Sequence, residues 1–277
     1  MSWIEKAVEE TKLGSQLNQN VAPEVTPTKP TVVAPKMSKP KFEFVEETDA
    51  GKEIYTFFGL KGSGKTTAAL SLPGKILALS FDGKTSIIKN NIYANDDRIK
   101  IFDAMKYYDA EDPVNSSVVS YDYIIALLEK IGQDFKPDYV LFDCAEELTT
   151  MCEMVMRQRS NITAYGGISN QNVWKLRRAL LEKVHDTALR ISSKGIVYTL
   201  YIDKNEIVYE GTLVEKSDVP KWTGVVLYAT DFVLKTKVMQ NKDRGKICTV
   251  EVVSSKNDKK LKTGTIIDVT DFKNKLF

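Results

Sequence analysis

The chain has very little histidine or cysteine, and each shortage closes off a class of chemistry. His185 is the single histidine. One imidazole argues against Ser-His-Asp catalysis and against the usual His-rich zinc sites. His185 falls in a helical stretch and reads as a structural or exposed residue. The three cysteines, Cys144, Cys152 and Cys248, contain no C-x-x-C pair. Reduced thiols in a cytoplasmic setting are the expectation, the host cytoplasm if the chain is viral. No apolar run approaches the roughly 20 residues that span a bilayer, and Met1–Lys6 carries no apolar signal-peptide core, so no membrane partner is expected. A charge of one sign is lacking too. Against 39 basic residues stand 37 acidic ones, a net of +2, so any nucleic-acid surface must be a local patch. What remains is 277 residues with 43% hydrophobic content. That is enough for one ordinary domain with a tail, or for two small ones.

Residues 1–41 read as a flexible N-terminal arm. Trp3, Ile4, Ala7, Val8, Leu13 and Leu17 could line a short amphipathic helix. Pro23, Pro27, Pro30, Pro35 and Pro40 then mark an extended linker. The arm either simply tethers or docks on a neighbouring subunit or a protein partner. From residue 42 to 277, strand and helix patterns alternate in one domain. This predicts an α/β fold, a mostly parallel sheet flanked by helices with late antiparallel strands. Helices are expected at Thr67–Leu72, Ser120–Ile131, 145–158 and 171–191. Strands are expected at Ile54–Phe58, Lys75–Asp82, Ile99–Phe102, Tyr139–Asp143, Ile196–Tyr201, Ile207–Val214, Asp231–Met239, Lys246–Ser254 and Thr265–Val269.

Between the first strand and the first helix lies Gly59-Leu60-Lys61-Gly62-Ser63-Gly64-Lys65-Thr66, which satisfies G-x-x-x-x-G-K-[ST] at every fixed position. Glycines let a backbone wrap a polyphosphate without Cβ clashes. Amides at the following helix start then hold the anion. Gly59, Gly62, Ser63, Gly64, Lys65, Thr66 and Thr67 are therefore the candidate ATP-binding residues. Lys65 would supply charge at the β and γ phosphates, and the Thr66 hydroxyl would ligate Mg²⁺. The bland alternative is a glycine-rich turn with no ligand.

Tyr139-Val140-Leu141-Phe142-Asp143 is a Walker B pattern, an apolar strand closed by a carboxylate. Asp143 would hold Mg²⁺ directly or through water, or else merely cap the next helix. Hydrolysis also needs a group that orients water. Asp82 at the end of the second strand is one candidate. Glu146 and Glu147, just after Asp143, are the others. As plain structure, Asp82 would be a turn residue, and the glutamates would be favourable charge in a first helical turn.

These motifs, in this order, resemble the RecA-type ATPase core over about residues 52–270. They are most similar to the RecA-like nucleotide-binding proteins of phages and plasmids, some of which are single-strand annealing recombinases. The resemblance implies that Asp82, closing Leu79-Ser80-Phe81-Asp82, activates the water. It matches Asp143-Cys144-Ala145-Glu146-Glu147-Leu148 to the Walker B continuation, and Pro220-Lys221-Trp222 with Asp231-Phe232-Val233 to the stretch before the late strands. It implies that Lys256 is the cation reaching a neighbour's ATP, with ATP at the interface of a homo-oligomer. Where such proteins carry a polar Gln or His sensor, this chain has Thr199 or Tyr201. Two loops would contact single-stranded DNA. In the first, Arg157, Arg159 and Tyr165 offer phosphate contact and stacking, joined by Arg177 and Arg178 of the next helix. A solvated loop and helix face is the plain alternative. The second loop would be Asp203–Lys221. The implied activity is ATP hydrolysis coupled to assembly on single-stranded DNA in recombination or replication. The alternatives are a helicase-loader or packaging-type motor, and a nucleotide-dependent assembly module with little turnover.

Overall fold

The computed structural model describes residues 51–94, 96–209, 212–221, 226, 229–241 and 245–269. All of them belong to the unit Thr48–Phe277. The expected arm, the domain start at residue 42 and Trp222 lie outside the described residues.

The architecture is α/β: a nine-stranded, mostly parallel sheet flanked by helices. The chain opens with β1 (Glu53–Gly59), α1 (Lys65–Leu70), β2 (Ile76–Ser80), α2 (Thr85–Ile92) and β3 (Ile99–Asp103). It continues with α3 (Pro113–Asp134), β4 (Tyr139–Asp143), α4 (Ala145–Arg159) and α5 (Val173–Ile191). The last part holds β5 (Gly195–Tyr209), β6 (Thr212–Pro220), β7 (Phe232–Asn241), β8 (Gly245–Ser255) and β9 (Ile266–Asp268). The sheet order is β3-β2-β4-β5-β1-β7-β8-β9, with β6 paired to β5. Strands β3 through β7 along that path run parallel. The pairs β5–β6, β7–β8 and β8–β9 are antiparallel.

Burial explains the strand composition. β2 and β4 are buried along their whole length, because helices cover both faces of a parallel sheet. Tyr55 and Phe57 of β1 join Ala68, Ala69 and Leu70 of α1 in one core. Ile54 and Phe58 point the other way and pack with the apolar faces of α3, α4 and α5. The carboxyl ends of β1, β2, β4 and β5 thus converge on one edge, the place where open α/β sheets bind ligands.

Three expectations need correcting. Asp203–Lys221 is not a loop: β5 runs on to Tyr209 and returns as β6, with a bulge at Ile207/Val208. The expected strand Ile207–Val214 therefore straddles the turn of a hairpin. Helix α2 was not foreseen. It is short, carries isoleucines of modest helix propensity, and begins at Lys84 with no side-chain cap. Helix α3 starts at Pro113 rather than Ser120, because the Asp112 carboxylate caps Asn115 N and Pro113 fits the first turn.

Candidate nucleotide site

The sequence Gly59–Thr66 leaves β1 and turns sharply into α1. Gly62 and Gly64 both hold left-handed backbone, at φ 76° and 88°, which a side chain would strain. Gly64 is the N-cap and has no side chain to occupy the first-turn amides; no acidic residue lies in that turn. No side chain therefore caps the amides at this end.

Lys65 Nζ donates to Gly59 O at 3.1 Å and Leu60 O at 3.0 Å, and lies 4.6 Å from the centre of the Tyr201 ring. Burial lowers its pKa, while the carboxylates of Glu146, Asp143 and Asp82 pull the other way. The ammonium is thus partly desolvated, where its charge acts more strongly than in water.

Asp143 closes β4 and is almost wholly buried. Thr66 Oγ1 donates to Asp143 Oδ1 at 2.8 Å, Thr199 Oγ1 donates to the same oxygen at 2.6 Å, and Thr85 Oγ1 donates to Oδ2 at 2.6 Å. Burial raises the pKa of Asp143, and the three hydroxyls resist that shift. Thr85 also bonds Ser80 Oγ at 2.8 Å. Thr199 accepts from Cys144 N at 2.9 Å, which fixes the turn where Cys144 takes left-handed backbone at φ 67°. Neither Ser80 nor Thr85 was singled out from sequence. Ser80 figures only as part of the stretch closed by Asp82, Thr85 lies outside the motifs, and only the fold brings them to Asp143.

A cavity of about 330 Å³ lies over these groups, lined by Lys61, Lys65, Thr66, Asp82, Asp143 and Tyr201 among others. The sequence-chosen Gly62, Gly64 and Thr67 are on its wall as well. Asp82 accepts from Lys84 N at 2.9 Å and faces the Lys84 ammonium at 3.7 Å, and both residues line the cavity. Glu146 is placed differently. It accepts from Tyr201 N, its Oε2 is buried with no hydrogen-bond partner among the described residues, and burial raises its pKa. It does not line the cavity, whereas Asp82 does. Glu147 is exposed on the first turn of α4.

Thr66 and Asp143 offer one hydroxyl and one carboxylate within hydrogen-bond distance, the hard oxygen donors Mg²⁺ takes. Among the described residues no group of three His, Cys, Asp or Glu gathers as a metal cage. The donor set therefore suits an ion that arrives with phosphates and keeps most of its own ligands.

Other candidates sit elsewhere. Lys256 does not belong to the cradle of its own chain. Antiparallel pairing puts Ser255 beside Phe232, at the amino end of β1, and Lys256 Nζ pairs with Asp231 Oδ1 at 2.8 Å. Arg157 is turned inward as well. It pairs with Glu153 at 2.8 Å and donates to Thr163 O and Gly166 O, holding the turn after α4. Arg177 reaches Glu153 at 3.4 Å and lies over Trp174. Arg159 lies over Tyr121, Arg178 pairs with Glu182 on the surface, and Tyr165 is 94% exposed. His185 is buried, with Nδ1 2.7 Å from Tyr198 Oη, a structural role. No helix among the described residues is long and apolar enough to cross a membrane. A scan against models of known protein families finds no match, and a search of curated proteins finds none.

Proposed function

We propose that this protein binds ATP with Mg²⁺ at Gly59–Thr67 and hydrolyses it. The observation that carries this reading is the convergence of Lys65, Thr66, Asp143 and Asp82 on one cavity beneath a glycine loop. These residues come from three separate stretches of chain, and each has a distinct job in phosphoryl transfer. The loop amides and Lys65 would take the β and γ phosphates. Thr66 and Asp143 would hold the ion, which offsets charge developing on the transferred group. Asp82, facing them across the cavity, would orient the attacking water. Glu146 is the weaker candidate for that step, since one of its oxygens is committed to Tyr201 N.

The sheet order supports a RecA-like reading of the same core. One strand, β5, separates the loop-bearing β1 from the acid-tipped β4, and its Thr199 and Tyr201 line the cavity. On that reading, turnover is coupled to homo-oligomer assembly on single-stranded DNA. Tyr165, Arg159 and Arg178 offer the more exposed contacts, and Lys256 would act only on another copy's nucleotide. A second reading, a nucleotide-dependent assembly module with little turnover, is favoured by one feature. Tyr201 lies over Lys65 where a polar sensor is expected, and its hydroxyl is pushed up to about 12 by its hydrogen bond to Cys144 and by burial, so it stays neutral.

ATP turnover and sedimentation, with and without single-stranded DNA at two salt concentrations, separate the readings. Magnesium-dependent turnover stimulated by DNA, with salt-sensitive assembly, supports the first. Tight ATP binding with negligible turnover in every condition supports the second.

A further inference from the structure

The phosphate loop rests on two residues of the late strands. Thr236 of β7 and Cys248 of β8 stand two rungs apart and on the same face, where Thr236 pairs with Val250 and Val238 with Cys248. They occupy the sheet face that also carries α1, onto which the second half of the loop descends. Thr236 Oγ1 lies 2.6 Å from Ser63 Oγ and donates to Phe58 O at 3.2 Å, which leaves Ser63 as the donor between the two hydroxyls. Cys248 Sγ donates to Ser63 O at 3.0 Å. Thr236 and Ser63 are both buried, so water does not compete for these bonds.

The glycines record the same contact. Gly59 is not in left-handed backbone, so its φ does not demand glycine. Its need is steric: a Cβ there would stand 2.6 Å from both Ser63 Oγ and Thr236 O. A Cβ on Gly64 would run into Cys248 Sγ. Two of the loop's glycines are thus shaped by the strands beneath them as well as by the ligand above. A glycine-rich loop has many conformations open to it, and a cradle that must be ordered at the moment of binding loses affinity.

We propose that Thr236 and Cys248 are positioning residues for the nucleotide. By fixing Ser63 and Gly64 from below, they hold the loop amides at the height where a polyphosphate meets them. This rests on the reading of Gly59–Thr66 as a phosphate site and extends it to the β7–β8 hairpin. Bound nucleotide should in turn stiffen that hairpin, since the coupling is reciprocal.

The test uses the full chain carrying Thr236→Val, Thr236→Ser, Cys248→Ala or Cys248→Ser, with Lys65→Ala as the reference for lost binding. Three quantities are read: the Kd for Mg²⁺–ATP by calorimetry, the Tm of the nucleotide-free protein, and hydrogen exchange of the Ser63–Thr66 amides. Valine matches threonine in shape and lacks the hydroxyl. Thr236→Val should weaken binding about tenfold and speed exchange of the loop amides. Thr236→Ser, which keeps the hydroxyl, should bind as the wild type does. Cys248→Ala should weaken binding by a smaller factor, and Cys248→Ser should restore it. Wild-type affinity and unchanged loop exchange in Thr236→Val, beside a Lys65→Ala chain that has lost binding, would overturn the positioning role alone. A lowered Tm with loop exchange and Kd unchanged would also overturn it, leaving the pair as ordinary packing. A folded wild-type chain that takes up no nucleotide would overturn the phosphate-site reading, and this role with it.

Discussion

Asp143 is a buried carboxyl group that accepts from three hydroxyl donors, Thr66, Thr85 and Thr199. Bonds to a charged acceptor are worth about 1.5–3 kcal/mol each, yet burial still leaves its pKa raised. A carboxyl whose folded pKa lies above its unfolded value is least costly in acid, below the unfolded pKa. Stability is lost as pH rises towards the folded pKa. Asp143→Asn should therefore raise the Tm of the nucleotide-free protein at neutral pH by a few degrees, about 2–4 °C per kcal/mol recovered, and make no difference in acid. The same variant should lose magnesium-dependent turnover. A pH series of melting curves checks the sign. Lys65 has the opposite polarity. Its pKa is lowered, so its charge, and the phosphate affinity it supplies, should fade below the usual lysine range as pH rises. Calorimetry from neutral to alkaline pH should show that decline, and Lys65→Arg should move it upward. Asp82→Asn should leave nucleotide affinity near wild type and lower turnover by about 10²-fold or more. Full activity there would point to Glu146.

At the scale of elements, the turn after α4 is organised by Arg157, whose guanidinium joins Glu153 to the carbonyls of Thr163 and Gly166. Removing one partner of a largely buried, multiply bonded pair is costly. Arg157→Ala should destabilise the fold by about 3 kcal/mol and expose residues 160–172 to protease. Arg178→Ala, on the exposed face, should leave the Tm unchanged, and, if the proposed contact with single-stranded DNA exists, act only on that contact. These arginines look alike in sequence, where basic residues near glycine and tyrosine suggest a ligand loop; only the packing of α4 against α5 sorts the inward one from the outward ones. The strands were legible because the parallel sheet is covered on both faces, which makes β2 and β4 continuous apolar runs. The loop and its two acids were legible because spacing fixes them. The support for the site was not. Thr85, Thr236 and Cys248 come from a short helix and two late strands whose local pattern carries no trace of the contact. The hairpin β5–β6 escaped for another reason: the resemblance placed a loop over Asp203–Lys221, although Ile207–Val214 within it already read as a strand.

For the whole molecule, strand order decides where the chemistry falls. With β5 between β1 and β4, the loop's Thr66 meets the Asp143 carboxyl directly, and Thr199 and Tyr201 of β5 line the same cavity. Asp82 and Lys84 line the same cavity as Lys61, Gly62 and Lys65. Lys256 lies at the far end of the sheet from its own chain's loop, so any contact it makes with nucleotide would need a second copy. If ATP lies between copies, Lys256→Ala should spare binding to single chains and weaken ATP-dependent assembly, read by sedimentation.

The most direct test is calorimetric titration of purine nucleoside triphosphates into the full chain, with and without magnesium, beside Lys65→Ala. The account predicts saturable uptake of ATP near one per chain, strengthened by magnesium and lost in Lys65→Ala. A folded chain that takes up no purine nucleotide, or that binds it equally well without the Lys65 ammonium, would contradict it.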